Sequence, residues 1–309
     1  MEIIKRDGGC SGMEYLLETR QLTKVYDNRA VVDRVDLHIN RGDIYGLIGK
    51  NGAGKTTIMR MVLSLAFPTD GEIYMFGEKS NGRSDRRIGS LIEAPGIYRN
   101  LSAKENMKMF STLYGTDFSG IDSILEYVGL GETGDKKAGS FSLGMKQRLG
   151  IAITLLGNPE FIVLDEPVNG LDPAGMKDVR DLIIRLNKEK GVTFMISSHL
   201  LDELSKMVNK YAILNEGRLV EEITTDELEQ RCRHKLIITV DDLQRATDII
   251  TTVVPREDLA YLNNKLIVAS HTELSGQINR LLVENGLTVS ELQVKSDGTE
   301  QYFVQRIGG

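Results

Sequence analysis

The sequence predicts an α/β fold in which helices cover a mostly parallel sheet, followed by a smaller α+β domain. Short apolar strands alternate with amphipathic helices between residues 44 and 214. A glycine-rich segment at residues 49–57 lies between one such strand and a helix. After residue 226 the order becomes strand, helix, two strands, helix and strand, which is typical of a ferredoxin-like domain.

The composition is that of a globular protein of about two domains. The chain has 309 residues, of which 41% are hydrophobic and 27% charged. A net charge of −6 argues against nucleic acid as a general partner. Two cysteines are too few for a disulfide framework, which suits a reducing compartment. No apolar run reaches the roughly 18–20 residues that span a bilayer, so a role at a membrane needs another chain to cross it.

The first part of the chain is expected to contain strands around one early helix. Residues 1–12 have no apolar core, and we expect them to be a flexible extension before a fold that begins near Met13. Residues 15–40 alternate between apolar and polar positions, as half-buried antiparallel strands do. A buried strand at 44–48 leads into the glycine-rich segment, and a helix starts at Thr57. Further strands are predicted at 72–76 and 88–92, the second of them buried and parallel.

The middle of the chain is predicted to be mostly helical from 97 to about 150. Ser102 and Glu105 form a capping box at the start of one helix. Apolar strands at 161–164 and 192–196 flank a helix at 177–188, and a helix at 200–208 precedes a hairpin around residues 215–217. We therefore divide the chain into a domain at 13–225, with a helical subdomain at about 97–150, and a C-terminal domain at 226–309.

The glycine-rich segment fits the G-x-x-x-x-G-K-[ST] pattern, whose backbone N–H groups cradle nucleotide phosphates. Lys55 would reach the β- and γ-phosphates, and the Thr56 hydroxyl would ligate Mg²⁺. The alternative is a glycine-rich turn that binds nothing, but the strand before it and the helix after it favour a nucleotide site. The candidate nucleotide-binding residues here are Asn51, Gly52, Ala53, Gly54, Lys55, Thr56 and Thr57.

Two adjacent carboxylates follow the predicted strand at 161–164. Burying that strand places Asp165 beside the phosphate loop, where it can hold Mg²⁺ directly or through water. Glu166 is then placed to polarise the water that attacks the γ-phosphate. The alternative is that the two acids only cap a loop, and the presence of a phosphate loop disfavours it.

Residues 141–148 read Phe-Ser-Leu-Gly-Met-Lys-Gln-Arg and precede an apolar helix. This segment resembles the signature loop of the ABC-transporter ATPases, Leu-Ser-Gly-Gly-Gln, and differs from it at Phe141, Leu143 and Met145. Ser142, the Gly144 N–H and the helix N-terminus still form an anion site. The resemblance implies that Ser142, Gly144 and Met145 face the γ-phosphate bound by a second copy of the cassette.

The resemblance continues in the expected order from about residue 15 to 225. It implies a P-loop NTPase core of ABC type, with an antiparallel β subdomain and a helical subdomain. Asp172 matches the loop that crosses the dimer interface, and His199 matches the histidine that contacts the γ-phosphate and orients Glu166. Tyr26 matches the aromatic residue that stacks on adenine, although a tyrosine beside a turn is ordinarily only packing.

Glu93 departs from the family pattern, which has glutamine after this strand. A carboxylate brings a full negative charge to Mg²⁺ where an amide oxygen brings none, so metal binding should tighten. A glutamate here resembles ATPase subunits of lantibiotic-immunity exporters within the bacitracin-resistance group. The alternative is a neutral substitution.

The sequence therefore indicates an ATPase subunit of a bacterial ABC exporter, peripheral on the cytoplasmic face of the membrane. The resemblance implies ATP and Mg²⁺ as cofactors, a second cassette in what we expect to be a homodimer, a separate permease gripped by residues 97–139, and an antimicrobial peptide as cargo. The rival interpretation is a soluble ABC ATPase acting on ribosomes or nucleic acid. A GTPase is disfavoured because Asn209-Lys210-Tyr211-Ala212 is not the guanine motif. The C-terminal domain is expected to be regulatory or dimerising, since no catalytic cluster follows Thr225.

Overall fold

The computed structural model describes residues 15–83, 85–93, 95–232, 235–262, 265–269, 271–295 and 299–307. The expected extension at 1–12 and the start of the fold near Met13 lie outside the described residues. The described residues form two compact units: one runs to Thr225 and includes 306–307, and the other lies within 226–305. Each unit is described by itself below.

The first unit contains two sheets. The antiparallel sheet has the order β2-β1-β5-β6, and β3 pairs with β1. Its strands are β1 (Leu17–Tyr26), β2 (Arg29–Val35), β3 (His38–Ile39), β5 (Asp70–Met75) and β6 (Glu78–Lys79). Leu17, Leu22, Val32 and Val35 are fully buried. Their spacings of five and three residues interrupt the predicted period-two alternation, because register shifts occur in the β1–β2 and β1–β5 pairings.

The second sheet has the order β11-β10-β4-β9-β8-β7. Its strands are β4 (Ile44–Ile48), β7 (Ile88–Leu91), β8 (Phe161–Asp165), β9 (Thr193–Ser198), β10 (Lys210–Asn215) and β11 (Arg218–Thr224). Strand β11 runs antiparallel to β10, as the second arm of the predicted hairpin, and the other pairings are parallel. All residues of β4, β8 and β9 are buried, so these three strands form the centre of the sheet.

The helices of the first unit are α1 (Lys55–Val62), α2 (Ala103–Tyr114), α3 (Ile121–Tyr127), α4 (Leu143–Thr154), α5 (Pro173–Lys190) and α6 (Leu201–Leu204). The predicted capping box is present: Ser102 Oγ accepts a hydrogen bond from the Glu105 N–H at 3.2 Å, and Glu105 Oε2 accepts one from the Ser102 N–H at 2.6 Å. Short 3₁₀ turns and loops connect these helices between residues 97 and 143.

Four local predictions differ from the structure. The predicted helix at 200–208 is a single turn, α6, because the Met207 and Val208 N–H groups both bond to Leu204 O in a turn that feeds β10. Strand β7 is parallel to β8 but is not buried throughout; it forms the edge of the sheet, and Ser90 is exposed. Helix α1 begins at Lys55 instead of Thr57, and α5 begins at Pro173 because Asp172 caps it.

The second unit has the predicted strand–helix order. Helices α8 (Leu243–Ile250) and α9 (Ser275–Glu284) alternate with β12 (Lys235–Val240), β13 (Leu259–Leu262), β14 (Lys265–Val268) and β15 (Val289–Lys295). The sheet order is β13-β14-β12-β15, all antiparallel, which is the ferredoxin-like arrangement. Its own apolar core includes Leu236, Ile238, Ile250, Leu266 and Ile278. Helix α7 (Thr225–Arg231) begins this unit in sequence, and helix α10 (Thr299–Arg306) ends it.

Candidate nucleotide-binding and hydrolysis site

The loop between β4 and α1 can close only because of its glycines. Gly54 has φ +99° and is the N-cap of α1. A Cβ at Gly54 would lie 2.7 Å from Val31 O, and one at Gly49 would lie 2.6 Å from Leu214 O. Both positions therefore exclude a side chain, and the loop lies directly at a helix N-terminus whose N–H groups attract anions.

Lys55 lies inside this loop. Its Nζ donates hydrogen bonds to Gly49 O at 2.6 Å and to Lys50 O at 3.2 Å, and the residue is only 6% exposed. Burial lowers the pKa of the ammonium group, and the nearby carboxylates of Glu166 and Asp165 partly oppose that shift. The loop thus carries a desolvated cation bonded to its own carbonyl oxygens.

The Asp165 carboxylate is buried at the end of β8 and receives two hydroxyl groups. Thr56 Oγ1 donates to Asp165 Oδ2 at 2.9 Å, and the Ser197 hydroxyl donates to Asp165 Oδ1. Asp165 and Ser197 are direct neighbours in the parallel pairing of β8 with β9. Sequence reasoning missed Ser197; the available signal was a hydroxyl at the end of the strand next to the carboxylate strand.

Glu166 and His199 form the second pair of the site. His199 Nδ1 lies 2.8 Å from Glu166 Oε2, and the two side chains are partly exposed, at 39% for His199 and 24% for Glu166. The Glu166 N–H donates to Ser197 Oγ at 3.0 Å, and the residue has φ +50°. Ser197 therefore contacts both adjacent acids, and Glu166 has a left-handed backbone conformation at the residue whose side chain meets His199.

The signature segment lies at the start of α4. Ser142 is the N-cap of α4, and its Oγ accepts a hydrogen bond from the Met145 N–H at 3.2 Å. Gly144 is buried, and a Cβ there would lie 3.4 Å from Gly175 Cα of α5. The exposed Ser142 leaves the start of α4 open to solvent.

The remaining predicted residues are placed as follows. Asp172 is the N-cap of α5, where its Oδ1 accepts a hydrogen bond from the Gly175 N–H at 3.3 Å. Tyr26 ends β1 with 46% of its surface exposed, and Lys24 Nζ lies 4.9 Å from its ring centroid. The Glu93 carboxylate pairs with Arg60 Nη2 of α1, and not with Thr56 or Asp165.

The donor set fits a nucleoside triphosphate with a hard divalent cation. A hydroxyl oxygen of Thr56 and a carboxylate oxygen of Asp165 lie 2.9 Å apart, and both are ligand types that Mg²⁺ prefers. The loop offers helix N–H groups and the ammonium group of Lys55 for the phosphates.

A glycine loop that opens a helix, with a buried aspartate at a nearby strand end, defines a phosphate-loop nucleoside triphosphatase. Residues 32–169 match the ABC transporter family. The bacitracin transport ATP-binding protein of Bacillus licheniformis is 44% identical over 302 residues, 96% of this chain and 99% of that protein. The chain belongs to the ABC transporter family as an ATP-binding subunit.

Two further comparisons agree with this membership. The lantibiotic transport ATP-binding protein of Streptococcus pyogenes is 44% identical over 214 residues, which are 69% of this chain and 93% of that protein. The dimeric, ADP- and phosphate-bound cassette MJ0796 is similar with a TM-score of 0.60 and 26% identity over 68% of this chain and 98% of that chain. The predicted fold class and the family resemblance are both confirmed.

Proposed function

We propose that this chain hydrolyses ATP with Glu166 as the general base and couples hydrolysis to the export of an antimicrobial peptide. The main support is the distance of 2.8 Å between Glu166 Oε2 and His199 Nδ1. Glu166 directly follows Asp165, the proposed Mg²⁺ ligand. His199 fixes one carboxylate oxygen and leaves the other free to accept a proton from the attacking water. His199 is therefore the further group that orients the proposed general base, Glu166.

The other residues bind and orient the triphosphate. Lys55 moves its hydrogen bonds from Gly49 O and Lys50 O to the β- and γ-phosphates, which are stronger acceptors. Thr56 and Asp165 would hold Mg²⁺, with Glu93 as a third candidate oxygen ligand, and the cation would neutralise charge on the phosphates.

Two more side chains support this arrangement. Tyr26 stacks on the adenine ring through its exposed face. Ser197 keeps Asp165 and Glu166 in register, because it donates to the first and accepts from the backbone of the second. The metal ligands and the general base are thereby held as one unit.

The site is completed by a second copy of the chain. The open start of α4, with Ser142, Gly144 and Met145, has the helix dipole and the first-turn N–H groups that suit a γ-phosphate. Two chains arranged head to tail would each supply this segment to the other, with Asp172 at the interface. The dimeric state of the similar MJ0796 cassette supports this arrangement.

A separate permease is the proposed membrane partner. Among the described residues, no helix combines the length and apolar character needed to cross a bilayer. Residues 97–139 expose large apolar side chains, and the rings of Tyr98, Phe110 and Tyr114 follow one another at centroid distances of 6.0 and 6.1 Å. The most exposed of these apolar side chains are Tyr98, Met109, Leu113, Tyr114 and Phe118. This surface would grip a short permease helix and hold the chain at the inner face of the membrane.

The cargo assignment rests on the relatives. Bacitracin transport and lantibiotic transport both concern antimicrobial peptides, so we assign this chain a cargo of that chemical class, with self-protection as the outcome. The C-terminal residues 226–309 would act as a regulatory or dimerising domain, because the catalytic pairs all lie before Thr225.

The Glu166→Gln variant tests the proposed chemistry. It keeps the shape and the contact to His199 but removes the proton acceptor, so ATP should remain bound and a stable dimer should accumulate. Size-exclusion chromatography with ATP and a phosphate-release assay measure the two effects. Brisk turnover in this variant would reject Glu166 as the base.

Coexpression tests the transport assignment. The chain should join the membrane fraction only when its permease is present, and cells carrying both should resist a peptide antibiotic in a manner that Glu166→Gln abolishes. Cosedimentation with ribosomes or nucleic acid, without any permease dependence, would instead favour the soluble alternative.

A further inference from the structure

Glu93 has a cationic partner on the helix that follows the phosphate loop. The Glu93 carboxylate pairs with the Arg60 guanidinium in the last turn of α1. Both side chains are accessible, with 65% of Glu93 and 46% of Arg60 exposed. Glu93 has φ +65°, so the loop after β7 takes a left-handed conformation at this residue.

Arg60 lies one helical turn beyond Thr56. Residues four apart on a helix share a face at a spacing of about 6 Å. Thr56 Oγ1 is bonded to Asp165 Oδ2 at 2.9 Å, so the proposed cation site and the Glu93–Arg60 pair are neighbours on one side of α1. The Arg60 guanidinium holds the Glu93 carboxylate beside that site.

We propose that Arg60 is a positioning residue that competes with Mg²⁺ for the Glu93 carboxylate; this rests on the proposed metal site at Thr56 and Asp165. Without nucleotide the guanidinium keeps the loop after β7 on α1. When Mg²⁺ and ATP bind, the carboxylate exchanges one cation for another, and it returns to Arg60 when the phosphate leaves.

The competition depends on the carboxylate. A glutamine at this position would still accept a hydrogen bond from the charged Arg60, but without the attraction between two opposite charges. The same change would remove the negative charge that attracts Mg²⁺. Glutamate therefore makes both states of the loop tighter and links them through a single group.

A double-mutant cycle on the full chain tests this inference. The readout is Mn²⁺ affinity measured by electron paramagnetic resonance with a non-hydrolysable ATP analogue, for wild type, Arg60→Ala, Glu93→Gln and the double variant. Removing the competitor should tighten Mn²⁺ binding by about two- to fivefold, the range expected for an exposed ion pair. In the Glu93→Gln background, Arg60→Ala should change the affinity by less than about 1.5-fold.

Two controls separate competition from a general charge effect. Arg60→Lys keeps the charge and should stay near wild type. Arg41→Ala breaks a comparable exposed pair, Arg41 Nη1 to Glu160 Oε2 at 2.5 Å, which precedes β4 and β8 and so lies at the opposite end of those strands. It should leave Mn²⁺ affinity unchanged.

The role of Arg60 is overturned if wild type binds Mn²⁺ and nucleotide but Arg60→Ala changes the Mn²⁺ affinity equally with and without Glu93→Gln. It is also overturned if Arg60→Ala leaves the Mn²⁺ affinity unchanged in both backgrounds. If wild type shows no Mn²⁺-dependent nucleotide binding, the proposed function fails together with this inference.

Discussion

At the scale of single residues, the site consists of buried polar groups that satisfy one another. Asp165 is 6% exposed, and an unpaired buried carboxylate would be strongly destabilising. The hydroxyls of Thr56 and Ser197 supply two donors. A cation bound between Thr56 and Asp165 would replace the hydrogen bond on Asp165 Oδ2, while the Ser197 hydroxyl would still donate to Oδ1.

Lys55→Ala should weaken ATP binding by about 10- to 100-fold, because a charged group contributes about 1.5–3 kcal/mol through its hydrogen bonds. Fluorescence titration with a labelled nucleotide measures the affinity. Lys79→Ala is the matched control, since Lys79 is an exposed lysine paired with Glu72. Unchanged affinity in the folded Lys55→Ala protein would refute the role of this ammonium group.

At the scale of elements, the start of α2 is stabilised by charge as well as by its cap. The Ser102 N–H and then Lys137 lower the pKa of Glu105 to about 2. Because the folded pKa is below the unfolded value of about 4.3, this carboxylate contributes stability that is complete above about pH 4.3. That contribution is lost as the pH falls toward the folded pKa of about 2.

Glu105→Gln should therefore make the stability of the protein depend less on pH in the acid range. Glutamine still accepts the Ser102 N–H, so the variant loses the charge but keeps the cap. Thermal unfolding between about pH 7 and pH 3 should show wild type more stable at neutral pH and the difference shrinking below about pH 4.3. Glu126→Gln, on an exposed position of α3, serves as control and should show no such convergence. A constant difference across that pH range would contradict the assignment.

At the scale of the whole molecule, the proposed catalytic pairs and the ferredoxin-like sheet belong to different units. The second unit has its own apolar core, whose members include Leu236, Ile250 and Leu282. The lantibiotic relative is matched over 93% of its length by only 214 residues, so it is little longer than the first unit. An ATP-binding subunit of this family can therefore be complete without a second unit of this size.

A chain ending at Thr225 should keep its nucleotide affinity and change its dimerisation or its regulation. Isothermal titration with ATP and analytical ultracentrifugation of the Glu166→Gln form measure the two properties. Cooperative thermal unfolding must first show that the shortened chain is folded. Loss of nucleotide binding in a folded chain would contradict the proposed division of roles.

The sequence by itself determined the features that depend on local pattern. The glycine loop, the apolar strand before Asp165, the capping box of α2 and the strand–helix order of the second unit each follow from residue spacing within a few turns. The same local motifs carried the resemblance to the ABC family, because their order along the chain is itself a sequence property.

Only the tertiary structure decided which distant residues meet. Thr56 and Asp165 are 109 positions apart, and Asp165 and Ser197 are 32 apart; the order β4-β9-β8 brings all three together. The edge position of β7, the short α6 and the Glu93–Arg60 pair likewise depend on strand order and loop path. Long-range pairing is set by how whole elements pack, and spacing along the chain does not encode that packing locally.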